Sequence, residues 1–458
     1  MKISHIDISE RKVLLRLFDV FFIVLSLWFS SRFNIQDYLV FDNNLIYTWL
    51  ILLSFYFFLF GEIFQLYNLN VSNSPFKTVR SLFLTILITT LFFTLTPYFS
   101  PSLPENRIQI IYLFGLTFIP VLLWRFAYMS LLFSPKYFKD IIVISHSSRL
   151  EDMLDLIKEK GYHNVSCYVS NEKNEHYEQY HDIENVNVYD LVREKNAKEV
   201  IVSTRGFSSV GISKLNNNII ALFEEGINIK SFETYYEEVT NRVPKEYLDH
   251  HFYKNINLST NSDNKLYQVY NRILDIIVSV IGLLIFIAFI PVIFILNLIA
   301  NRGPLFYTQD RVGEKGKIFK IYKLRSMVVN AESKGAVYAE KNDKRITLFG
   351  KILRNTRLDE SPQFFNILRG DMSLIGPRPE RPEFVKDLEE KLPFYAIRHV
   401  VKPGLTGWAQ VKYPYAGTLE EQEKKLRYDL FYIKEQSPFL DFKIIIKTIT
   451  TVLFFRGQ

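Results

Sequence analysis

The stretch ILDIIVSVIGLLIFIAFIPVIFILNLI, residues 273–299, decides how this chain meets a membrane. As one continuous helix it would be ~40 Å long, ample to cross a bilayer. Pro291 lies inside it, removing a backbone donor and favouring a kink. Lys265 and Arg272 precede the run; Arg302, Arg311, Lys315 and Lys317 follow it. Lys and Arg mark the cytoplasmic side, so both flanks read as cytoplasmic. The run is therefore expected to enter the inner leaflet, break near Pro291 and return as a re-entrant helix. An ordinary kinked span is the weaker reading.

Upstream, four apolar stretches fill the first third: Val13 to Ser31, Leu45 to Phe64, Val79 to Phe99 and Ile108 to Phe133. Each is near the ~20 residues that cross a bilayer. Arg11 and Lys12, Lys77 and Arg80, and Lys136 and Lys139 fall on one side of the resulting bundle; Asp37, Asp42, Glu105 and Arg107 fall on the other. Both ends of a four-helix bundle should then be cytoplasmic. A buried soluble bundle would need a polar, solvated face, and these stretches lack one. The N-terminus shows no small-residue cleavage site after its apolar run, so it reads as an uncleaved anchor.

From Lys139 the texture changes. DIIVIS (Asp140 to Ser145), VSCYVS, KEVIVST (Lys198 to Thr204) and INIKSF read as strands, alternating with helical stretches such as LEDMLDLIKEKG. That pattern predicts a small doubly wound α/β domain. Its first strand runs into Ser145-His146-Ser147-Ser148 without glycine, so the phosphate-binding turn of a dinucleotide site is missing. A structural or regulatory spacer is the preferred reading. The chain is thus expected to be an α/β membrane protein in three parts. Residues 1–135 form the four-helix transmembrane bundle, 136–260 the Rossmann-like domain, and 261–458 a C-terminal domain with the re-entrant helix 273–299.

The chemistry should lie in RNTRLDESPQFFNILRGDMSLIGPRPE, Arg354 to Glu380. Proline favours the first position of a helix and glycine the position past its end, so Pro362 and Gly370 bracket one short helix. Asp359 and Glu360 then sit at its N-terminus, close in sequence to Arg354, Arg357 and Arg378. A carboxylate held ionised can attack phosphorus to give an acyl phosphate. Taken alone, however, such a pair is more often helix capping than catalysis.

Composition narrows the field. Phe 40, Tyr 27, 48% hydrophobic and 22% charged residues suit membrane segments joined to a soluble part. A net charge of +7 suits an anionic membrane surface and phosphorylated substrates. Nucleic acid is the competing partner for such a charge, but no zinc spacing or RNA-binding motif is present and no nucleic acid is expected to bind. The single Cys167 forbids an internal disulfide, and the eight histidines show no zinc-binding spacing.

Further motifs surround the carboxylate pair: FYTQDRVGEKGKIFKIYKLRSM (Phe306 to Met327), GDMSLIGPRPE (Gly370 to Glu380), KPGLTGWAQV (Lys402 to Val411) and KLRYDLFYIK (Lys425 to Lys434). In this order and spacing, over about the last 190 residues, the chain resembles the catalytic domain of the bacterial polyprenyl-phosphate glycosyl-1-phosphate transferases. These are monotopic sugar transferases that start capsule, exopolysaccharide and O-antigen chains. The resemblance implies transfer of a sugar 1-phosphate from a nucleotide diphosphate sugar, expected to be UDP-linked, to undecaprenyl phosphate at the cytoplasmic face of the bacterial inner membrane.

The family's Asp-Glu pair falls on Asp359 and Glu360, implying Asp359 as nucleophile and Glu360 as a Mg²⁺ ligand. Mg²⁺ typically takes one or two carboxylates with substrate oxygens and water. Lys323, Arg354 and Arg378 occupy positions used around the phosphates, and Arg325 fits the same role. Asp371 could hold an arginine or assist the metal, while Trp408 reads as packing. Two departures stand out. Ile290 precedes Pro291 where serine is usual. Lys412-Tyr413-Pro414-Tyr415 follows WAQV where many relatives have Asn-Gly, which leaves the sugar open.

A glycosyltransferase moving the sugar without its phosphate is one rival, but no suitably placed DxD motif supports it. A membrane-bound sensor or scaffold with an inactive transferase domain is the other, and the intact Asp359, Glu360 and Arg378 argue against it. A homo-oligomer is left open. PFLDFKIIIKTITTVLFFRG (Pro438 to Gly457) reads equally as an interfacial helix or a packing helix.

Overall fold

The structure is a computed structural model and describes residues 8–33, 38–39, 41, 44–72, 74–104, 106–131, 139–160, 163–207, 209–248, 264–331, 343–413 and 416–453. The chain divides into two compact units, Met1–Tyr235 and Tyr236–Gln458. The bundle and the parallel sheet therefore share one unit, although the sequence reading separated them at residue 135.

Four long helices open the first unit: α1 (Ile8–Arg32), α2 (Ile46–Ile63), α3 (Pro75–Leu95) and α4 (Ile108–Leu131). Each contains a segment apolar and long enough to cross a membrane, as expected. Leu15, Leu27, Leu53, Phe57, Phe93 and Val121 pack inward. Leu17, Ile51 and Leu123 are 64%, 70% and 64% exposed. A bundle this apolar on its outside as well as its inside suits hydrocarbon rather than water, so the chain is a membrane α/β protein. Its interior charge is paired: Arg125 Nε donates to Asp19 Oδ1 at 3.0 Å, and another guanidinium nitrogen donates to Leu66 O at 3.1 Å.

Five parallel strands follow: β1 (Lys139–Ile144), β2 (His163–Ser170), β3 (Tyr180–Asp182), β4 (Glu199–Val202) and β5 (Asn228–Ser231), in the spatial order β3-β2-β1-β4-β5. Helices α5 (Ser147–Lys160), α6 (Val188–Glu194) and α7 (Ser209–Glu224) connect them, and α8 (Phe232–Thr240) follows β5. Ile142, Ile144, Val169, Val200 and Val202 form the core of the sheet. Near-continuous apolar runs mark strands buried on both faces, which is what made β1 and β4 readable. Short polar β3 gave no such signal.

The second unit contains α9 (Lys265–Ala300), the hairpin β6 (Phe306–Val312) and β7 (Ile318–Leu324), and α10 (Leu348–Asn355). Next come α11 (Gln363–Arg369), β8 (Ser373–Ile375), α12 (Pro382–Lys391), β9 (Gly404–Thr406), α13 (Trp408–Lys412), α14 (Leu419–Lys434) and α15 (Pro438–Leu453). Helix α9 runs through Pro291 without the expected break. Proline deletes one backbone donor and crowds one carbonyl, which a long, otherwise bonded helix can absorb. One face of α9 is buried along its whole length, through Tyr267, Asp275, Ser279, Phe286, Ile293 and Asn297. Near its start, Arg272 donates to Ile367 O and Leu368 O, while Asp275 accepts from Leu374 N at 2.7 Å. At its end, Asn301 donates to Arg325 O at 2.8 Å. Helix α15 buries Leu440 and Ile444 in the core and leaves Phe439 and Phe442 exposed.

Candidate active site

The site is assembled on β7, α10, α11 and the turn between β8 and α12. The expected short helix is present as α11, with Pro362 before it and Gly370 after it at φ 92°. Asp359 and Glu360 do not lie in its first turn. They occupy a preceding 3₁₀ turn, Leu358–Glu360, entered through Arg357 at φ 59°. A non-glycine residue in the left-handed region is uncommon and strained, and here it aims two adjacent carboxylates inward. Both are 8% exposed.

Side-chain cations answer this buried charge. Arg378 donates to Glu360 Oε1 at 3.0 Å, and Lys323 Nζ lies 3.4 Å from the same oxygen. Arg357 lies 3.5 Å from Oε2. Burial alone would raise the Glu360 carboxyl, yet Arg378, Lys323 and Arg357 hold it well below the usual range. Asp359 behaves oppositely: burial, then the Glu360 charge, push its carboxyl up to about 6. Among the described residues, Asp359 Oδ1 is buried and receives no hydrogen bond. The pair is therefore split into a charge-locked acid and one with a buried, unbonded oxygen.

Lys323 is placed by an unforeseen residue, Asn366. Its side-chain amide accepts from Tyr322 N at 3.1 Å and donates to Lys320 O at 2.8 Å. It stands in for a further strand against the outer edge of β7 and ties α11 to that edge. Burial then pushes the Lys323 ammonium down to about 8. Arg354 ends α10 and donates to Ser326 Oγ at 2.8 Å, and its charge acts on Asp359. Gly350 lets α10 approach this closely, because a Cβ there would stand 1.8 Å from Ser326 O.

Arg325 is placed elsewhere. Strand β7 ends at Leu324, so the two-residue alternation that would align Arg325 with Lys323 stops. Its guanidinium donates to Pro304 O, Met327 O, and the carbonyl and side-chain oxygens of Asn301, clasping the end of α9. Asp371 pairs with Arg369 at 3.5 Å, a largely exposed pair of little energetic weight. Trp408 is a core residue whose Nε1 donates to Asn241 O.

No group of three or more His, Cys, Asp or Glu suited to holding a metal occurs among the described residues. Mg²⁺ does not require one, since it binds through one or two carboxylates and leans on substrate phosphates. The all-oxygen pair Asp359 and Glu360 fits that demand. Arg378 and Lys323 take Glu360 Oε1, whereas the Arg357 contact to Oε2, at 3.5 Å, is longer than the ~2.7–2.9 Å of tight charge-assisted bonds, so Oε2 is the oxygen that a cation would share.

Comparison with known proteins bears on the same region. A family model described as "Bacterial sugar transferase" matches residues 266–455. The UDP-N-acetylgalactosamine-undecaprenyl-phosphate N-acetylgalactosaminephosphotransferase of Aeromonas hydrophila is 42% identical over 217 residues, covering 47% of this chain and 50% of that protein. The UDP-glucose:undecaprenyl-phosphate glucose-1-phosphate transferase of Klebsiella pneumoniae is 42% identical over 189 residues, 41% of this chain and 40% of its own length. A protein of the same description from Caulobacter vibrioides is 35% identical over 184 residues, 40% of this chain and 69% of its own. The match spans half or less of the first two relatives.

Proposed function

The chain belongs to the bacterial sugar transferase family, and on that premise we propose that it transfers a sugar 1-phosphate from a UDP-sugar to undecaprenyl phosphate. Relatives described as undecaprenyl-phosphate sugar-phosphate transferases support both substrates. The observation that carries the mechanism is the open Asp359 Oδ1 beside a Glu360 locked by three cations.

In the first step, Asp359 Oδ1 attacks the sugar-bearing phosphorus and forms an aspartyl–phosphorus bond. The bond from that phosphorus to the bridging oxygen breaks, and UMP leaves with the electron pair. In the second step, a phosphate oxygen of undecaprenyl phosphate attacks the same phosphorus, the aspartyl bond breaks, and undecaprenyl-diphosphate-sugar is released. Lys323, Arg354, Arg357 and Arg378 neutralise and orient the phosphates, a preorganised electrostatic role. Glu360 holds Arg378 and Lys323 in place and, with Asp359, would hold Mg²⁺. When bound, that ion would supply further charge neutralisation on the pyrophosphate oxygens. Product analysis tests this reading: purified protein, undecaprenyl phosphate and a panel of UDP-sugars should release UMP, whereas UDP would identify a glycosyltransferase.

The catalytic domain belongs, in this proposal, on the cytoplasmic face of the inner membrane, and α9 lies along that face without crossing, one side packed against its own folded unit. Support comes from contacts at both of its ends with one folded unit, through Arg272 and Asp275 at the start and Asn301 at the end. Residues 1–135 then act as an anchor, and the five-stranded parallel domain that follows acts as a spacer.

A further inference from the structure

The turn that presents Arg378 is held by its backbone. Four consecutive carbonyls each receive a separate donor: Pro377 O from Gly404 N at 2.9 Å, Arg378 O from Arg398 at 2.9 Å, Pro379 O from Arg311 at 2.9 Å, and Glu380 O from Val312 N at 3.0 Å. Arg398 is itself fixed from α14 and its neighbourhood. Its guanidinium donates to Asp429 Oδ2 at 2.9 Å, with both side chains 2% exposed, and to the Tyr395 hydroxyl. It also lies 4.9 Å from the centre of the Tyr395 ring. Lys425, one turn before Asp429, donates to Glu380 at 2.7 Å. The motif KLRYDLFYIK, matched in sequence but without a role in the chemistry, thus supplies the rear support of this turn.

Buried charges are expensive, and surface capping would not need them. Their arrangement runs in one direction. Asp429 holds Arg398, Arg398 holds the Arg378 carbonyl, and the Arg378 guanidinium reaches forward to Glu360 at 3.0 Å. We propose that Arg398, backed by Asp429 and Tyr395, is a positioning residue that sets Arg378 for the donor phosphates. This rests on the reaction proposed above for its kinetic readout. The physical basis is general: side chains that meet developing charge work best when their own supports remove the need to reorganise, and loss of such supports typically lowers activity 10–100-fold.

The test uses full-length protein in lipid nanodiscs, with Asp429→Asn and Tyr395→Phe each made in wild-type and Arg378→Ala backgrounds. Turnover is measured with whichever UDP-sugar the wild type accepts. Asp429→Asn should lower kcat/KM by about 10–100-fold, and Tyr395→Phe by less. In the Arg378→Ala background both should change it less than about threefold, because contributions that act through one residue are not additive. Amide exchange at Gly404 and Val312, whose N–H groups bond Pro377 O and Glu380 O, should quicken in both variants. Full additivity with Arg378→Ala, or unchanged kinetics in a folded Asp429→Asn, would overturn the assignment. If Asp429→Asn does not fold, Tyr395→Phe, which preserves the ring, decides by the same criteria. If the wild type turns over no donor, the reaction reading fails on its own. Amide exchange then still decides the positioning claim, and unchanged exchange across the turn refutes it.

Discussion

Asn366→Ala should loosen β7 at the point that places Lys323. The wild-type amide answers Tyr322 N and Lys320 O on the outer edge of a two-stranded sheet, at 3.1 and 2.8 Å. Alanine leaves both without a protein partner. A buried polar group left unsatisfied costs about 1–3 kcal/mol. Both bonds are part-buried, so neither group pays the full penalty of a dry interior, and together they should cost about 2–3 kcal/mol. At ~1.4 kcal/mol per factor of ten, that is roughly a 30- to 150-fold rise in local opening. Amide exchange resolved at Tyr322 reads it directly. Asn366→Asp keeps the acceptor and loses the donor, and should fall between wild type and alanine. Turnover should fall with Tyr322 protection, since Lys323 is the next residue. Exchange at Tyr322 within about threefold of wild type in Asn366→Ala would show that Asn366 does not hold this edge.

Gly350→Ala should reduce turnover at least about tenfold by driving α10, and Arg354 with it, off Ser326; Gly115→Ala, which would meet nothing within 4 Å, should be silent. Acid should loosen the turn bearing Arg378. Burial opposes ionisation of Glu380, yet Lys425, Arg398 and Arg311 hold its carboxyl at about 2, below its ordinary 4.5. The resulting stability is fully present above pH ~4.5 and should be lost as pH falls towards 2, read by exchange of the same turn. Lys425→Met should shrink that dependence. For topology, cysteines at Lys265 and Lys315, with Cys167→Ser, should both resist an impermeant thiol reagent in intact cells; labelling of Lys315 alone from outside would make α9 a true span.

What could be read from sequence was what local pattern encodes. Long apolar runs marked α1 to α4 and α9, and buried strands announced themselves by β-branched clusters such as Ile141 to Ile144. Pro362 and Gly370 bracketed α11 because their backbone preferences are intrinsic. The carboxylate pair and most of its cations were legible because they cluster in motifs. Pairings across the chain were not: nothing local tells Asn366 that its partner is β7, or Arg398 that its partners are Asp429 and the Arg378 carbonyl. Arg325 misled for the same reason, since the alternation that would align it with Lys323 ends one residue earlier. Pro291 announced a break because its local penalty is visible in sequence, whereas the packing of α9 along one whole face is not.

Covalent catalysis at Asp359 can be tested without the acceptor lipid. Purified protein is mixed with the accepted UDP-sugar, quenched, and its peptides are mapped by mass spectrometry while released nucleotide is counted. About one UMP should be released per active enzyme, with a sugar-phosphate adduct on Asp359 that Asp359→Asn lacks while remaining folded. Turnover with acceptor but neither adduct nor acceptor-independent UMP, or sustained activity in Asp359→Asn, would contradict it.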